Sequence, residues 1–168
     1  MRGHSNTGYY LRYDWEMRGS MWKRQMNLRI ATAGDQPILF EIHRSVFRNH
    51  IEQIWGWDEV WQRENFASEL AITDTSIIEY EGCIAGYIQV IDNNEQIYIQ
   101  NIAISKDFQG KRIGSQLLRG LQADAALRRV PLALSVFRTN EAALRLYERL
   151  GFLRVGQTET HVEMCWSA

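Results

Sequence analysis

Residues 102–118, IAISKDFQGKRIGSQLL, combine residue types and spacing that could bind an anion. The pattern of a buried strand runs into a basic turn containing glycine, and an amphipathic helix follows. Backbone N–H groups in the first turn of a helix have no intrahelical partner, and the helix dipole adds roughly half a positive charge there. Gly110 and Gly114 carry no Cβ, so a ligand could approach their backbone closely. The pattern favours a phosphorylated ligand over the alternative, a plain turn with solvated lysine and arginine.

A second candidate region, residues 50–66, carries three tryptophans interleaved with acidic residues. These residues are Trp55, Trp57 and Trp61 with Glu52, Asp58 and Glu59. An aromatic and acidic pocket suits a cationic amine through cation–π contact and charge pairing. The alternative is that the tryptophans only pack the helices against a sheet.

Bulk composition limits the classes of function. The 168 residues, 45% of them hydrophobic, suffice for one domain with a sizeable core. Nineteen basic and twenty acidic residues give a net charge of −1, which disfavours nucleic acid as a partner. No apolar run approaches the ~20 residues that cross a bilayer, so we expect a soluble protein without membrane attachment. Cys83 and Cys165 lack the spacing of a disulfide framework or zinc site, and His43 and His50 are too sparse for a metal, so a reducing cytoplasm is expected.

The chain divides into an appendage and one domain. Residues 1–25 show no sustained period and are interpreted as an N-terminal appendage, either a leader or a native arm. Residues 26–168 form the predicted domain. Its periodicity predicts the order β-α-α-β-β-β-α-β-α-β-β, which is an α/β fold with a mixed sheet covered by helices. Strands are expected near 75–80, 83–91, 95–104, 132–137, 152–158 and 161–166.

Two features predict how the helix near 141–150 begins and ends. Asn140 is a suitable N-cap, and Gly151 followed by Phe152 suits a left-handed C-terminal cap. The expected apolar stripe of this helix consists of Ala143, Leu146, Tyr147 and Leu150.

With this element order, the chain resembles the GCN5-related N-acetyltransferases, and the resemblance covers nearly all of residues 26–168. That family binds acetyl-CoA with the motif Q/R-x-x-G-x-G/A after its fourth strand. The aligned residues here are Gln109, Gly110, Lys111, Arg112, Ile113 and Gly114, and Arg112 departs from the pattern by replacing a glycine. A second match, NEAALRLYERLGF, begins at Asn140 and contains Tyr147.

The resemblance implies how acetyl-CoA is bound. The pyrophosphate is expected on the backbone amides from Gln109 to Ser115. The pantetheine arm is expected to pair like an added strand with the backbone of Ile102, Ala103 and Ile104, and Asn140 could also reach it. In the family the fourth strand carries a bulge and diverges from the fifth. An unpaired N–H near Ile102 to Ile104 could therefore stabilise the oxyanion of the tetrahedral intermediate.

Catalysis needs an acid for the leaving thiolate and a base for the amine. A thiol has a pKa of about 8.5 and a phenol has a pKa of about 10, so Tyr147 is the candidate acid. For the base, Glu95, Tyr98, His161 and an ordered water all stay open. The expected activity is direct acetyl transfer to a primary amine of a small molecule or a peptide, without an acetyl-enzyme. The alternative is an acyl-CoA sensor or regulatory module without turnover, and family members commonly form homodimers.

Overall fold

The computed structural model describes residues 26–168. The predicted appendage, residues 1–25, lies outside the described residues. The strands are β1 (Met26–Ile30), β2 (Thr75–Tyr80), β3 (Cys83–Asp92), β4 (Ile97–Ile104), β5 (Leu132–Phe137), β6 (Leu153–Gln157) and β7 (His161–Trp166). The helices are α1 (Gln36–Trp55), α2 (Glu59–Ile72), α3 (Ile113–Arg128) and α4 (Glu141–Arg149). The predicted element order is therefore confirmed.

Local sequence signals set the helix ends. Pro37 lies in the first turn of α1, and Gly56 ends this helix with a φ of 79°. Asn140 caps α4, since its side chain accepts a hydrogen bond from the Ala143 N–H at 3.1 Å. Gly151 follows α4 with a φ of 86°, the left-handed conformation that glycine adopts without steric cost.

One seven-stranded mixed sheet organises the described chain, in the order β1-β2-β3-β4-β5-β7-β6. Its neighbouring strands are antiparallel except for β4 and β5, which run parallel. Helices α1 and α2 bury Leu39, Phe40 and Phe66 against one face, where Ile77 and Tyr87 lie. Helices α3 and α4 cover the other face.

The apolar stripe of α3 is buried as the helical spacing requires. It consists of Ile113, Leu117, Leu118, Leu121 and Ala125, each at most 1% exposed. On α4 the structure buries Tyr147 and also Leu144, which lies outside the predicted stripe. The predicted Ala143, Leu146 and Leu150 are only partly buried. The buried face of α4 is thus turned slightly from the expected one.

No helix within residues 26–168 is long and apolar enough to span a bilayer. Among the same residues, no group of three or more His, Cys, Asp or Glu side chains is arranged to hold a metal ion.

Candidate active site

The parallel junction between β4 and β5 is short and opens into a cleft. Pairing runs from Ile97 opposite Leu132 to Ile99 opposite Leu134 and goes no further along either strand. At the same point the register of β4 against β3 shifts, leaving Gln100 without an opposite residue. Such a bulge bends the strand and increases its twist. The bulge therefore accounts for the divergence of β4 from β5.

Among residues 26–168, the divergence leaves one edge of β4 beyond Ile99 without a strand partner. In antiparallel pairing, successive residues direct their peptide groups alternately to the two sides of a strand. Ser105 donates its N–H to the Ala85 carbonyl on β3 at 2.8 Å. The peptide groups of Ile104 and Ile102 therefore face the cleft, while those of Ala103 face β3. The Ile104 carbonyl already accepts a hydrogen bond from the Gln109 side-chain amide at 2.9 Å, which ties the loop before α3 to this edge.

Ala103 differs from its two neighbours. Its side chain is fully buried against α1 and α2, with Tyr87 and Phe40 in the same cluster. Neither its side chain nor its peptide groups reach the cleft, so of the three predicted β4 residues the structure directs only Ile102 and Ile104 toward it.

The loop before α3 directs backbone N–H groups outward. Gly110 has a φ of 77°, and Arg112, the N-cap of α3, has a φ of 63°. A left-handed conformation at a residue other than glycine costs roughly 1–2 kcal/mol, so Arg112 is mildly strained at the position where the resembling family uses glycine. The N–H groups of Ile113, Gly114 and Ser115 belong to the first turn and have no intrahelical acceptor. The side chain of Arg112 is exposed beside them.

Lys111 and Gly114 make different contacts where the loop joins α3. The Lys111 ammonium lies 5.0 Å from the ring centroid of Phe108 and 5.6 Å from that of Tyr80, within cation–π range. A Cβ on Gly114 would lie 3.3 Å from Cδ1 of Ile104. The missing side chain therefore lets the start of α3 pack against the end of β4, in addition to leaving the backbone open.

Tyr147 lies at the bottom of the cleft. Its side chain is 6% exposed, and its ring packs edge-on against Phe152 at 5.6 Å between centroids. No residue within 26–168 forms a hydrogen bond with its hydroxyl, although buried hydroxyls are nearly always paired. Burial raises the pKa of Tyr147 above its usual value, so the phenol stays protonated at neutral pH. A protonated, unpaired hydroxyl in a cleft is available to a ligand.

The cleft has a volume of about 350 Å³ and combines parts of β4, β5, α1, α4 and β7. Asn140 lines it; its side-chain oxygen is engaged in the cap of α4, which leaves the amide NH₂ for another partner. Its lining also includes the aromatic residues Tyr98, Phe47, Phe137 and Tyr147 together with His161.

Four rings meet at one end of the cleft and are called the ring cluster here: His50 and Trp55 from α1, Phe137 from β5 and His161 from β7. Phe137 and His161 are direct partners in the sheet, with ring centroids 4.4 Å apart. Trp55 lies 6.2 Å from Phe137 and 6.1 Å from His161, and His50 stacks on Phe137 at 5.6 Å. Of these, Phe137 was not predicted as a site residue, because the pairing of β5 with β7 brings together residues distant in sequence.

The candidate bases differ in position and acidity. Glu95 lies exposed in the turn between β3 and β4 and does not line the cleft. Tyr98 lines it, but burial and the nearby charge of Glu163 raise its pKa, so the phenolate is disfavoured. His161 also lines it, and burial lowers its pKa, so the imidazole is neutral at pH 7. Its Nδ1 lies 2.7 Å from the Thr160 hydroxyl, which leaves Nε2 for a substrate.

In the predicted aromatic and acidic pocket, the three carboxylates are already engaged within the protein. Asp58 caps α2 by accepting hydrogen bonds from the N–H groups of Val60 and Trp61, each at 3.0 Å. Glu59 accepts a hydrogen bond from Trp57 Nε1 at 2.7 Å. Glu59 and Glu52 pair with arginines on their own helices, Arg63 at 3.1 Å and Arg48 at 3.5 Å respectively. Of the three predicted tryptophans, only Trp55 belongs to the ring cluster.

Comparisons with known proteins agree with this geometry. The sequence model of the acetyltransferase (GNAT) family matches residues 37–152. The chain is 31% identical over 94 residues to the spore coat polysaccharide biosynthesis protein SpsD of Bacillus subtilis, covering 55% of this chain and 32% of that protein. It is 33% identical over 94 residues to a probable spermine N(1)-acetyltransferase of Bacillus subtilis subsp. natto, covering 50% of this chain and 62% of that protein. The chain thus covers less than two thirds of either curated relative.

The fold is shared with solved structures. The crystal structure of the PaiA N-acetyltransferase of Thermoplasma acidophilum, in complex with coenzyme A, has a TM-score of 0.69 to this chain. It is 18% identical, and the match covers 85% of this chain and 99% of that one.

Proposed function

The chain belongs to the GNAT acetyltransferase family, and on this premise we propose that it transfers the acetyl group of acetyl-CoA directly to a primary amine. The observation that carries the proposal is the divergence of β4 from β5 between the start of α3 and Tyr147. This arrangement offers an anion site, an open strand edge and a buried phenol along one path.

The coenzyme contacts are proposed as follows. The N–H groups of Ile113, Gly114 and Ser115 would bind the pyrophosphate, with Gln109, Gly110, Lys111 and Arg112 forming the loop around it. The peptide groups of Ile104 and the carbonyl of Ile102 would pair with the pantetheine arm as an added strand. Ala103 holds these two residues in register through β3, and the Asn140 amide would donate to a carbonyl of the arm.

The chemistry requires a neutral amine and a stabilised leaving group. The amine nitrogen attacks the thioester carbonyl, a C–N bond forms and the C–S bond breaks. His161 would accept the proton that the ammonium loses, directly or through a water, because its imidazole is neutral at pH 7. The N–H of Ile102 would donate to the oxyanion.

Tyr147 would donate its proton to the sulfur as the C–S bond breaks, and the second proton, lost by the attacking nitrogen after the C–N bond forms, would restore the phenol. Burial raises the pKa of the phenol, so the hydroxyl still carries its proton when the thiolate leaves. It can therefore hydrogen-bond to the departing sulfur and share the proton with it.

A direct transfer fits the positions of the cysteines. Cys83 is exposed at the start of β3 and Cys165 lies on β7, and neither lines the cleft. No thiol is therefore placed to carry an acetyl group within the described part of the chain. Family membership favours this enzymatic function over the sensor predicted as the alternative.

The test is release of the CoA thiol from acetyl-CoA over a panel of amines, with the acetylated amine identified by mass spectrometry. The proposal expects equal amounts of free thiol and N-acetyl product for at least one amine. Tight acetyl-CoA binding without thiol release for any amine would contradict the proposal and favour the alternative function, an acyl-CoA sensor.

A further inference from the structure

From the chemistry of the cleft we infer the class of acceptor: an amine with one nitrogen joined through a short alkyl arm to an aromatic ring, rather than a polyamine. This inference rests on the proposed function and specifies its second substrate.

The cleft wall carries no formal charge among the described residues. Of the described residues that line the cleft, none is an aspartate, glutamate, lysine or arginine. Burying an ammonium without a paired anion costs several kcal/mol. The reacting nitrogen avoids this cost because it loses its proton, for which His161 is the acceptor. A second ammonium of a polyamine has no such route.

Three acidic residues lie within three positions of a ring-cluster residue along the chain. Glu52 on α1 is paired with Arg48 at 3.5 Å. Glu163 follows His161 by two residues on β7, but its carboxylate leans toward β6, where its Oε2 lies 2.7 Å from the position of a Cβ on Gly156. Glu159 is exposed in the β6–β7 turn. The charge of Glu163 raises the pKa of Tyr98 in the cleft, but none of these three carboxylates belongs to a residue that lines the cleft.

The ring cluster provides an aromatic surface beside the cleft. Phe137 and His161 line the cleft, and Trp55 stands next to both with 62% of its surface exposed. The Phe137 ring already stacks on His50 and lies 4.4 Å from His161, whereas the exposed indole of Trp55, inclined at 65° to Phe137, offers a face to a flat ligand. Aromatic pairs contribute roughly 0.5–1.5 kcal/mol beyond the burial of their area. A ring attached to the amine would therefore gain contacts that an aliphatic or polycationic body lacks.

The experiment measures binding to the CoA-saturated protein by isothermal titration calorimetry, so that it does not depend on turnover. Three amines are compared: 2-phenylethylamine, n-hexylamine and spermidine. We expect 2-phenylethylamine to bind about tenfold more tightly than either of the others, which corresponds to a difference of about 1.4 kcal/mol. Equal or tighter binding of spermidine or of n-hexylamine would overturn the inference.

Two variants test whether Trp55 is responsible for the preference for 2-phenylethylamine. Trp55→Ala should weaken 2-phenylethylamine by about fivefold or more while leaving CoA affinity unchanged. Trp61→Ala is the matched control, because this tryptophan is 56% exposed on α2 and contacts no ring of the cluster; it should leave the affinity unchanged. Since both side chains are exposed, both variants should fold, and circular dichroism checks this. Unaltered binding to Trp55→Ala would also overturn the inference.

Turnover measured in parallel separates the two proposals. Acetylation of spermidine but not of 2-phenylethylamine would contradict the acceptor class and leave the proposed function standing. Selective binding of 2-phenylethylamine without acetylation of any amine would contradict the proposed function and leave the acceptor preference standing.

Discussion

Ile99 on β4 and Leu134 on β5 form the last residue pair of the parallel junction, and beyond them the two strands separate. The bulge at Gln100 lies immediately after this pair. The peptide groups of Ile102 and Ile104 consequently face a cleft instead of a neighbouring strand. All the proposed contacts with the acetyl-CoA arm depend on this separation.

Tyr147→Phe should lower kcat by about two orders of magnitude, the usual contribution of a general acid. The affinity for CoA and the free energy of unfolding should change little, because the lost hydroxyl has no hydrogen-bond partner among residues 26–168. Steady-state CoA release and urea unfolding measure the two quantities.

Tyr87→Phe is the matched control for that experiment. This tyrosine is also buried, but its hydroxyl lies 2.8 Å from Nδ1 of His43 and outside the cleft. Its loss should cost about 1–3 kcal/mol of stability and leave kcat unchanged. A Tyr147→Phe variant with the wild-type rate would remove Tyr147 from the mechanism.

Gly114→Glu should weaken CoA binding by about two orders of magnitude or more, because a carboxylate would stand among the N–H groups proposed to bind phosphate. Gly114→Ala adds the same Cβ without the charge. That Cβ would meet the flexible ends of Ile104 at 3.3 Å and Leu146 at 3.7 Å, and alanine favours the helix by about 1 kcal/mol over glycine. Calorimetric titration with CoA compares the two. If the folded Gly114→Glu protein bound CoA normally, the phosphate site would lie elsewhere.

The pH dependence of kcat/KM should report His161. Burial disfavours the imidazolium and lowers the pKa of this residue, and only the neutral form accepts a proton. The value of kcat/KM should therefore be maximal above about pH 6.5. It should fall at lower pH, around the lowered pKa of His161. His161→Gln should lose this acid limb and most of the rate. Persistence of the same limb in His161→Gln would assign it to another group.

The stability of the protein should also depend on pH, through His43. This imidazole is 8% exposed, and burial lowers its pKa to about 4. The unfolded chain, with a histidine pKa of about 6.5, then binds the proton more readily than the folded protein between about pH 6.5 and 4. Lowering the pH from 7.5 to 5 should cost about 2 kcal/mol through this residue, and below about pH 4 its contribution levels off.

Urea unfolding of wild type and His43→Gln at both pH values isolates that contribution. His50 and His161, whose pKa values are also lowered by burial, act in the same direction in both proteins, so they cancel in the comparison. An equal loss of stability in the two proteins would show that His43 is not responsible.

The fold was predictable because its signals are local. The apolar period of α3, the glycine at position 151 and the cap at Asn140 each act within a few residues. The loop before α3 and Tyr147 could be proposed as site residues for the same reason, since their spacing is visible along the chain.

The acceptor side was not predictable in the same way. Phe137 and His161 meet only through the register of β5 against β7, which no local pattern specifies. The acidic residues of the predicted pocket could have been recognised as paired, since Glu52 with Arg48 and Glu59 with Arg63 are four residues apart on one helix face.

The most direct test of the account is a single assay of acetyl-CoA with 2-phenylethylamine, in which free CoA thiol and N-acetylated amine are quantified together. Both products should appear in equal amounts with wild-type protein and should fall together by about two orders of magnitude with Tyr147→Phe. Acetyl-CoA that binds but releases no thiol with this or any other amine would contradict acetyl transfer by this protein.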